Sequence, residues 1–426
     1  MTKQQGPFKA ALCGSFRLLA FAPALLCALT MIAMQSAQAQ TLNVLYAFTD
    51  GADGAYPEGV TFDRAGNLYG TTSFSAGGSS DGGVFELIRR NSSWILQPLY
   101  TFQGGSEGYA PEGGVVFGPD GALYGATPYG GSICGGIYYF CGIVYSLQPS
   151  PHACGNALCP WNWTPEYVFG NDLNYGGYQP RSGVIFDSAG NMYGTTYYGG
   201  LYNNGTAFEL YRAQNEWREN TIDNFSNAVG YATSGLTFDA AGNLFGTSAD
   251  AYYSRVYELV HSGQGWNEQT IYTFQGGNDG SNPEAGLIFD AAGNGYGTTA
   301  GNPRDGNEPG TVYQLSPQSD GTWQETVLYI FPANISGPIS NLAMDAAGNL
   351  YGTTPGTPGN NPDKWGMVFE LSPVNGSWIF TQLHHFTNGV DGATPSGVTL
   401  DSAGNLYGTC ISGGANGWGT IWEIAP

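Results

Sequence analysis

Carboxylates recur in one phrase of this sequence. Asp53-Gly54-Ala55-Tyr56-Pro57-Glu58 returns as Glu107-Gly108-Tyr109-Ala110-Pro111-Glu112 and as Asp279-Gly280-Ser281-Asn282-Pro283-Glu284, and a weaker copy is Asp391-Gly392-Ala393-Thr394-Pro395-Ser396. Paired carboxylates of this kind can serve as acid and base in glycoside cleavage. Grouped at one mouth, they could also bind cations, with calcium bridging carboxylates and backbone carbonyls. The same residues suit a turn, since Asp-Gly and Pro are turn formers. Tyr129, Tyr175, Tyr178, Tyr197, Tyr198, Tyr202, Tyr252, Tyr253, Trp365 and Trp418 break the local pattern nearby, and Arg181, Arg304 and Lys364 are rare positive charges among them. Aromatic rings stack on the CH faces of sugars, and a cation could hold an acidic sugar or another carboxylate. The expected binding face is therefore Asp53, Tyr56, Glu58, Glu107, Tyr109, Glu112, Tyr178, Arg181, Tyr197, Tyr198, Asp279, Glu284, Arg304, Trp365 and Trp418.

Other chemistries are thinly represented. The four histidines, His152, His261, His384 and His385, are scattered over the repeats and suit neither a metal site nor a Ser–His–Asp triad. No phosphate-binding or dinucleotide glycine motif stands between a strand and a helix. The 426 residues hold 33 acidic and 12 basic side chains, a net charge of −21, which disfavours nucleic acid as a partner. No cofactor is required by any motif.

The scaffold is dictated by a repeat. Phe62-Asp63-Arg64-Ala65-Gly66-Asn67-Leu68-Tyr69-Gly70-Thr71-Thr72 recurs with its turn glycine at Gly66, Gly121, Gly190, Gly242, Gly293, Gly348 and Gly404. Seven units at this period indicate a repeat architecture. Each unit carries four strand signals. In the fourth, Gly235–Phe238, Leu244–Thr247, Val256–Leu259 and Trp266–Phe274 are apolar or alternating, and Asp239-Ala240-Ala241-Gly242-Asn243 is a turn. Four short antiparallel strands per unit make one blade of a β-propeller. The expected fold is all-β, a seven-bladed propeller over residues 40–426. An open solenoid is the rival, and it needs terminal caps. The last unit stops at its third strand, Thr420–Ile424, while Leu42–Phe48 matches a fourth strand, so the N-terminal strand should close the ring. The recurring Trp94, Trp163, Trp217, Trp266, Trp323 and Trp378 read as core. The recurring Glu86, Glu209, Glu258, Glu370 and Glu423 read as a strand-level hydrogen-bonding feature.

Residues 1–39 read as a secretory signal peptide: Lys3, Lys9 and Arg17 precede an apolar run, and Ala37-Gln38-Ala39 offers a cleavage site before Gln40. An uncleaved anchor is disfavoured by the short run and Pro23, and a lipoprotein start at Cys27 by the bulk of Leu26. Cys134, Cys141, Cys154 and Cys159 lie in an insertion at about residues 131–162 and suit two disulfides in an oxidising compartment. Three pairings exist; neighbours, Cys134–Cys141 and Cys154–Cys159, are the expected one, and zinc is the alternative. Cys410 stands in place of a threonine and reads as a small buried thiol.

The repeat Asp-x-x-Gly-Asn-Leu-Tyr-Gly-Thr-Thr, followed by Gly-x-Val-Phe-Glu-Leu as in Gly83–Leu87 and Gly366–Leu371, resembles the GloVer (Gloeo-Verruco) tandem-repeat family. The resemblance implies an exported bacterial repeat protein, often tethered by a C-terminal sorting signal. No hydrophobic tail precedes Pro426, which implies release to the extracellular space, with the periplasm as the alternative. The family carries no established catalytic residues to transfer. The expected function is a secreted, non-catalytic scaffold for a glycan or an extracellular protein. The alternatives are a carbohydrate-active hydrolase or lyase using funnel carboxylates, and a structural matrix or envelope component. No membrane span is expected once the signal is removed, and oligomeric state is not legible.

Overall fold

A computed structural model describes residues 41–425 apart from 75–80, 92, 132, 135–138, 151–160, 171–175, 227–230, 250–253, 264, 303–307 and 358–362, with backbone alone at 133, 134, 139 and 140. The signal segment, Cys154, Cys159, the Cys134 side chain, Arg304, Tyr175, Tyr252, Tyr253 and His152 lie outside the described residues, and so does the disulfide pairing.

The chain forms a seven-bladed β-propeller of antiparallel blades. Blade 1 comprises Ala55–Phe62, Leu68–Phe74, Gly83–Arg90 and Ser93–Thr101, from the inside outwards. Blades 2 to 6 repeat this order, ending on outer strands Asn162–Val168, Glu216–Asn224, Gly265–Thr273, Trp323–Ile330 and Ser377–His385. Blade 4 adds a short strand, Tyr231–Ala232, paired to the far end of its second strand. In blade 7, Ala393–Leu400, Leu406–Ser412 and Thr420–Ala425 are completed by Thr41–Ala47. Thr41 pairs with Ala425 and Ala47 with Thr420, so the ring is closed by the expected strand.

The repeated residues form two fixed devices. The first is the turn. Asp63 Oδ1 accepts the backbone N–H groups of Ala65 and Asn67, both at 2.8 Å, and its Oδ2 accepts the Asn67 amide at 2.9 Å. Gly66 supplies the φ of 86° that closes the turn. The arrangement recurs at Asp187, Asp239, Asp290, Asp345 and Asp401. In blade 2 Gly118 replaces the aspartate, and Asp120 accepts from Ala122 N–H and the Tyr124 hydroxyl instead.

The second device couples blades. The second-strand aromatic of each Leu-Tyr-Gly phrase is wedged against the next blade: Tyr407 meets Phe62, Tyr69 meets Phe117, Tyr124 meets Phe186, Tyr193 meets Phe238 and Phe245 meets Phe289, edge to face at 4.8–5.3 Å. Outer-strand tryptophans cover the same rings, as with Trp94 on Tyr407 and Trp266 on Tyr193. The hydroxyl end is tied down within its own blade. Tyr69 donates to Glu86 at 2.7 Å, Tyr193 to Glu209 at 2.9 Å and Tyr407 to Glu423 at 2.6 Å. In the two remaining cases Glu258 accepts from Gln269 and Glu370 from Ser372.

The glycine after that aromatic is required by contact. A Cβ on Gly194 would stand 2.6 Å from the Phe208 ring, on Gly70 2.6 Å from Phe85, and on Gly408 2.3 Å from Trp422. These are the paired third-strand aromatics, and they are fully buried. Gly194→Ala should therefore lower stability by about 1–3 kcal/mol through overpacking, measurable as a shift of the denaturant midpoint. Deleting residues 41–48 should abolish cooperative unfolding, since it removes the closing strand and the fully buried Phe48. A truncated protein with an unaltered melting curve would contradict the closure.

Candidate functional site

Each first strand begins at a loop on one face of the ring, and the residue after the loop proline faces the axis. This position is Glu58, Glu112, Arg181, Glu284, Ile339 and Ser396, with Thr233 filling it after Ala232 in blade 4. All seven line one central cavity of about 560 Å³. A side chamber of about 420 Å³ shares Arg181, Ser182, Thr233, Ser234 and Glu284 with it and adds Thr195, Tyr197, Tyr231, Ala232, Ala249 and Asn282.

Backbone hydrogen bonds between blades fix this rim. Tyr56 N–H donates to Trp418 O, Ala110 N–H to Asp81 O, Gln179 N–H to Cys141 O and Thr394 N–H to Trp365 O, at 2.8–3.1 Å. Each donor belongs to one blade and each acceptor to the blade before it. The donors take left-handed φ values of 55–59°, as does Asn282 at 57°, and all five stand directly before a proline. Such conformations cost non-glycine residues about 1–2 kcal/mol and persist only where surrounding contacts hold them. The first threonine of Gly-Thr-Thr supports the next blade's rim from behind: Thr195 Oγ1 donates to Ser234 O at 2.9 Å, and Thr247 Oγ1 to Ala285 O at 3.2 Å.

Three carboxylates in the cavity differ in surroundings. Glu58 is pushed up to about 7 by burial, and the nearby Glu112 charge adds to this, while hydroxyls of Ser73 and Ser396, each 3.2 Å away, oppose it. Burial also raises Glu112, but the Arg181 guanidinium, with Nε 3.8 Å from its carboxylate, counteracts the shift. Glu284 is raised by burial against the Asn282 amide, which donates to it at 2.7 Å. Arg181 lies over the Tyr197 ring at 4.4 Å, and Tyr197 stacks on Tyr231 at 5.1 Å.

Several expected site residues have other employment. Asp53 accepts from Tyr46, from Thr49 twice and from Gly51, so its carboxylate closes its own loop. Asp279 accepts from the Tyr272 hydroxyl and Gln275 N–H, and Glu107 from the Tyr100 hydroxyl. For these three the turn reading replaces the cavity reading, because each carboxylate is engaged locally and none lines the central cavity. The aromatics Tyr56, Tyr109, Tyr178 and Tyr198 pair within their blades, with Phe74, with Tyr129, and with each other, at 5.0–5.6 Å. Trp418 packs edge-on against Tyr56, and Trp365 lies beneath Lys364. They stiffen the rim and are not cavity-lining residues. Tyr231, Thr233, Ser234 and Asn282 were not among the expected residues. The offset from each loop proline to the Asp turn would have located Thr233 and Ser234. Among the described residues no three His, Cys, Asp or Glu side chains gather closely enough to hold a metal ion.

The Glu58 shift has a stability consequence. A carboxyl raised on folding favours the protonated native state, so its contribution is fully present below the unfolded value of about 4.5 and is lost as pH rises through about 7. Glu58→Gln should therefore flatten the fall of stability between pH 4.5 and 7 and be the more stable form at pH 8, by on the order of 2 kcal/mol, as urea titrations at several pH values would read.

No curated protein matches the sequence. Solved structures similar in fold include a putative 6-phosphogluconolactonase from Bacteroides uniformis, with 15% identity, 78% of this chain and 86% of that chain covered, and a TM-score of 0.49. Another is a putative 6-phosphogluconolactonase from Bacteroides fragilis, with 12% identity, coverage of 88% and 89%, and a TM-score of 0.48. A third is the PQQ-bound form of an aldose sugar dehydrogenase from Streptomyces coelicolor, with 12% identity, coverage of 90% and 98%, and a TM-score of 0.43. The expectation of a non-catalytic scaffold is corrected at this point. The similar structures bear the names of sugar-processing enzymes, but at these identities and TM-scores the likeness carries no argument about this chain. The cavity itself gathers carboxylates of unequal acidity, which a passive scaffold does not require. Residues 290–426 match the Gloeobacter/Verrucomicrobia repeat, and the same turn and strand phrases run through the preceding blades.

Proposed function

We propose that the protein is a carbohydrate-active enzyme, a hydrolase or lyase, that cleaves glycosidic bonds in the central cavity. The observation that carries this reading is the pair Glu58 and Glu112, two carboxyls on adjacent blades whose surroundings separate their acidities. Divergent acidity assigns the two roles that such chemistry needs. Glu58, held up to about 7 and hydrogen-bonded by the Ser73 and Ser396 hydroxyls, keeps its proton near neutral pH and serves as the general acid toward the leaving oxygen. Glu112, beside the Arg181 guanidinium, ionises first and serves as the base. Glu284 faces the same space, and its Asn282 partner orients it for a substrate hydroxyl. Ser182, Ser234, Ser340 and Asn341 supply further polar contacts along the cavity wall.

The reading places the enzyme outside the cytoplasm, on the strength of the signal-like residues 1–39 and of the family's association with export. Among the described residues no helix is long and apolar enough to cross a membrane.

The test is release of reducing ends from a panel of neutral and acidic polysaccharides at pH 5–8. Turnover should decline above about pH 7 as Glu58 loses its proton. Glu58→Gln should lower kcat by about 10²–10⁴ with little change in KM. A Glu58→Gln enzyme with undiminished turnover, or a panel with no product at all, would refute the assignment.

A further inference from the structure

We propose that the side chamber beside the cavity is a subsite for a hexuronate residue, with the Arg181 guanidinium gripping the sugar carboxylate. This rests on the carbohydrate-cleaving reading and names its substrate class.

Arg181 breaks the ring of rim residues. Its equivalents are glutamate three times, threonine, isoleucine and serine, and it is the sole cation lining either cavity among the described residues. Its plane is set before any ligand arrives: Tyr197 lies beneath it at 4.4 Å, Tyr231 backs Tyr197 at 5.1 Å, and Glu112 approaches only Nε, at 3.8 Å. Among the described residues Nη1 and Nη2 meet no acceptor. A planar fork with its outer donors free fits the two oxygens of a carboxylate through parallel N–H···O bonds.

The rest of the chamber suits the body of a sugar. Tyr197 and Tyr231 form one wall, with the edge of Tyr198 against Tyr231 at 5.9 Å. Thr233, Ser234, Asn282 and Glu284 supply donors and acceptors for ring hydroxyls. The chamber volume of about 420 Å³ is of the size that small-ligand sites commonly have. Through the shared residues Arg181, Ser182, Thr233, Ser234 and Glu284 it opens on the cavity that holds Glu58 and Glu112, so a sugar seated there presents its neighbouring linkage to both. Burial raises Glu112 and Glu284, which lessens the repulsion that a cavity of fixed anions would exert on an acidic sugar.

The experiment is calorimetric titration of the full chain, and of its Glu58→Gln form to prevent turnover, with galacturonate and mannuronate–guluronate oligomers. The same oligomers with carboxyls reduced to alcohols, and a sulfated galactan oligomer, are the comparison ligands. At least one uronate series should bind tenfold or more tightly than its reduced counterpart. Arg181→Gln should erase that preference, Arg181→Lys should retain part of it, and Tyr231→Leu should weaken both series together. Equal affinity for uronate and reduced oligomers, tighter binding of the sulfated oligomer, or no uronate binding would overturn the subsite. Glu58-dependent cleavage of reduced oligomers without uronate preference would sink the subsite and keep the enzyme. Uronate preference without cleavage of any linkage would support the subsite and sink the enzyme.

Discussion

The tyrosine of the Leu-Tyr-Gly phrase holds this propeller together. Its ring is driven between two blades by burial and edge-to-face contact, while its hydroxyl reaches out of that apolar seam to a glutamate on the neighbouring strand and to the aspartate of the turn. An unpaired buried hydroxyl would oppose the packing, so the glutamate and aspartate are what allow a tyrosine to occupy the seam. The glycine beside it lets the paired third-strand aromatic lie flat across the sheet. Inter-blade contact, turn geometry and strand pairing thus meet within a few residues. Blade 4 shows the alternative solution: Phe245 fills the same seam without a hydroxyl, and its Glu258 turns to Gln269.

That division of labour leaves the axis free to vary. The scaffold residues recur in nearly every blade, whereas the rim position carries Glu, Glu, Arg, Thr, Glu, Ile and Ser in turn. Near-sevenfold backbone symmetry therefore presents a ring without chemical symmetry. The rim is also stiff. Left-handed residues before the prolines are pinned to the preceding blade by backbone hydrogen bonds, and threonines brace them from beneath. A rigid support of this kind holds acid and base in place without reorganisation when charge develops.

The repeat made the fold readable. Gly-Asn turns at a fixed period, four strand signals per unit and a divided last blade lead to seven blades and to closure by Leu42–Phe48. The site was half readable. Glu58, Glu112, Arg181 and Glu284 stand out because they are charged residues at one recurring position directly after a proline. Asp53, Glu107 and Asp279 looked equally chemical, yet each serves a hydroxyl seven residues upstream, on Tyr46, Tyr100 and Tyr272. His384 bonds Asp391 at that same spacing, so the interval itself carried the structural signal. Tyr231 escaped notice because its role depends on Tyr197, which belongs to the previous blade and is distant in sequence.

The divided seventh blade also sets an order of events in time. Its edge strand, Thr41–Ala47, leaves the ribosome before any blade exists, and its partner Thr420–Ala425 is made only after the other six blades. Each earlier blade can pair its strands locally as it emerges, but the annulus cannot lock until the seventh blade has been made. Folding of the whole must therefore wait on the longest loop closure the chain contains. A nascent polypeptide in that condition stays threadable while six blades emerge and becomes rigid only once the seventh joins its first strand.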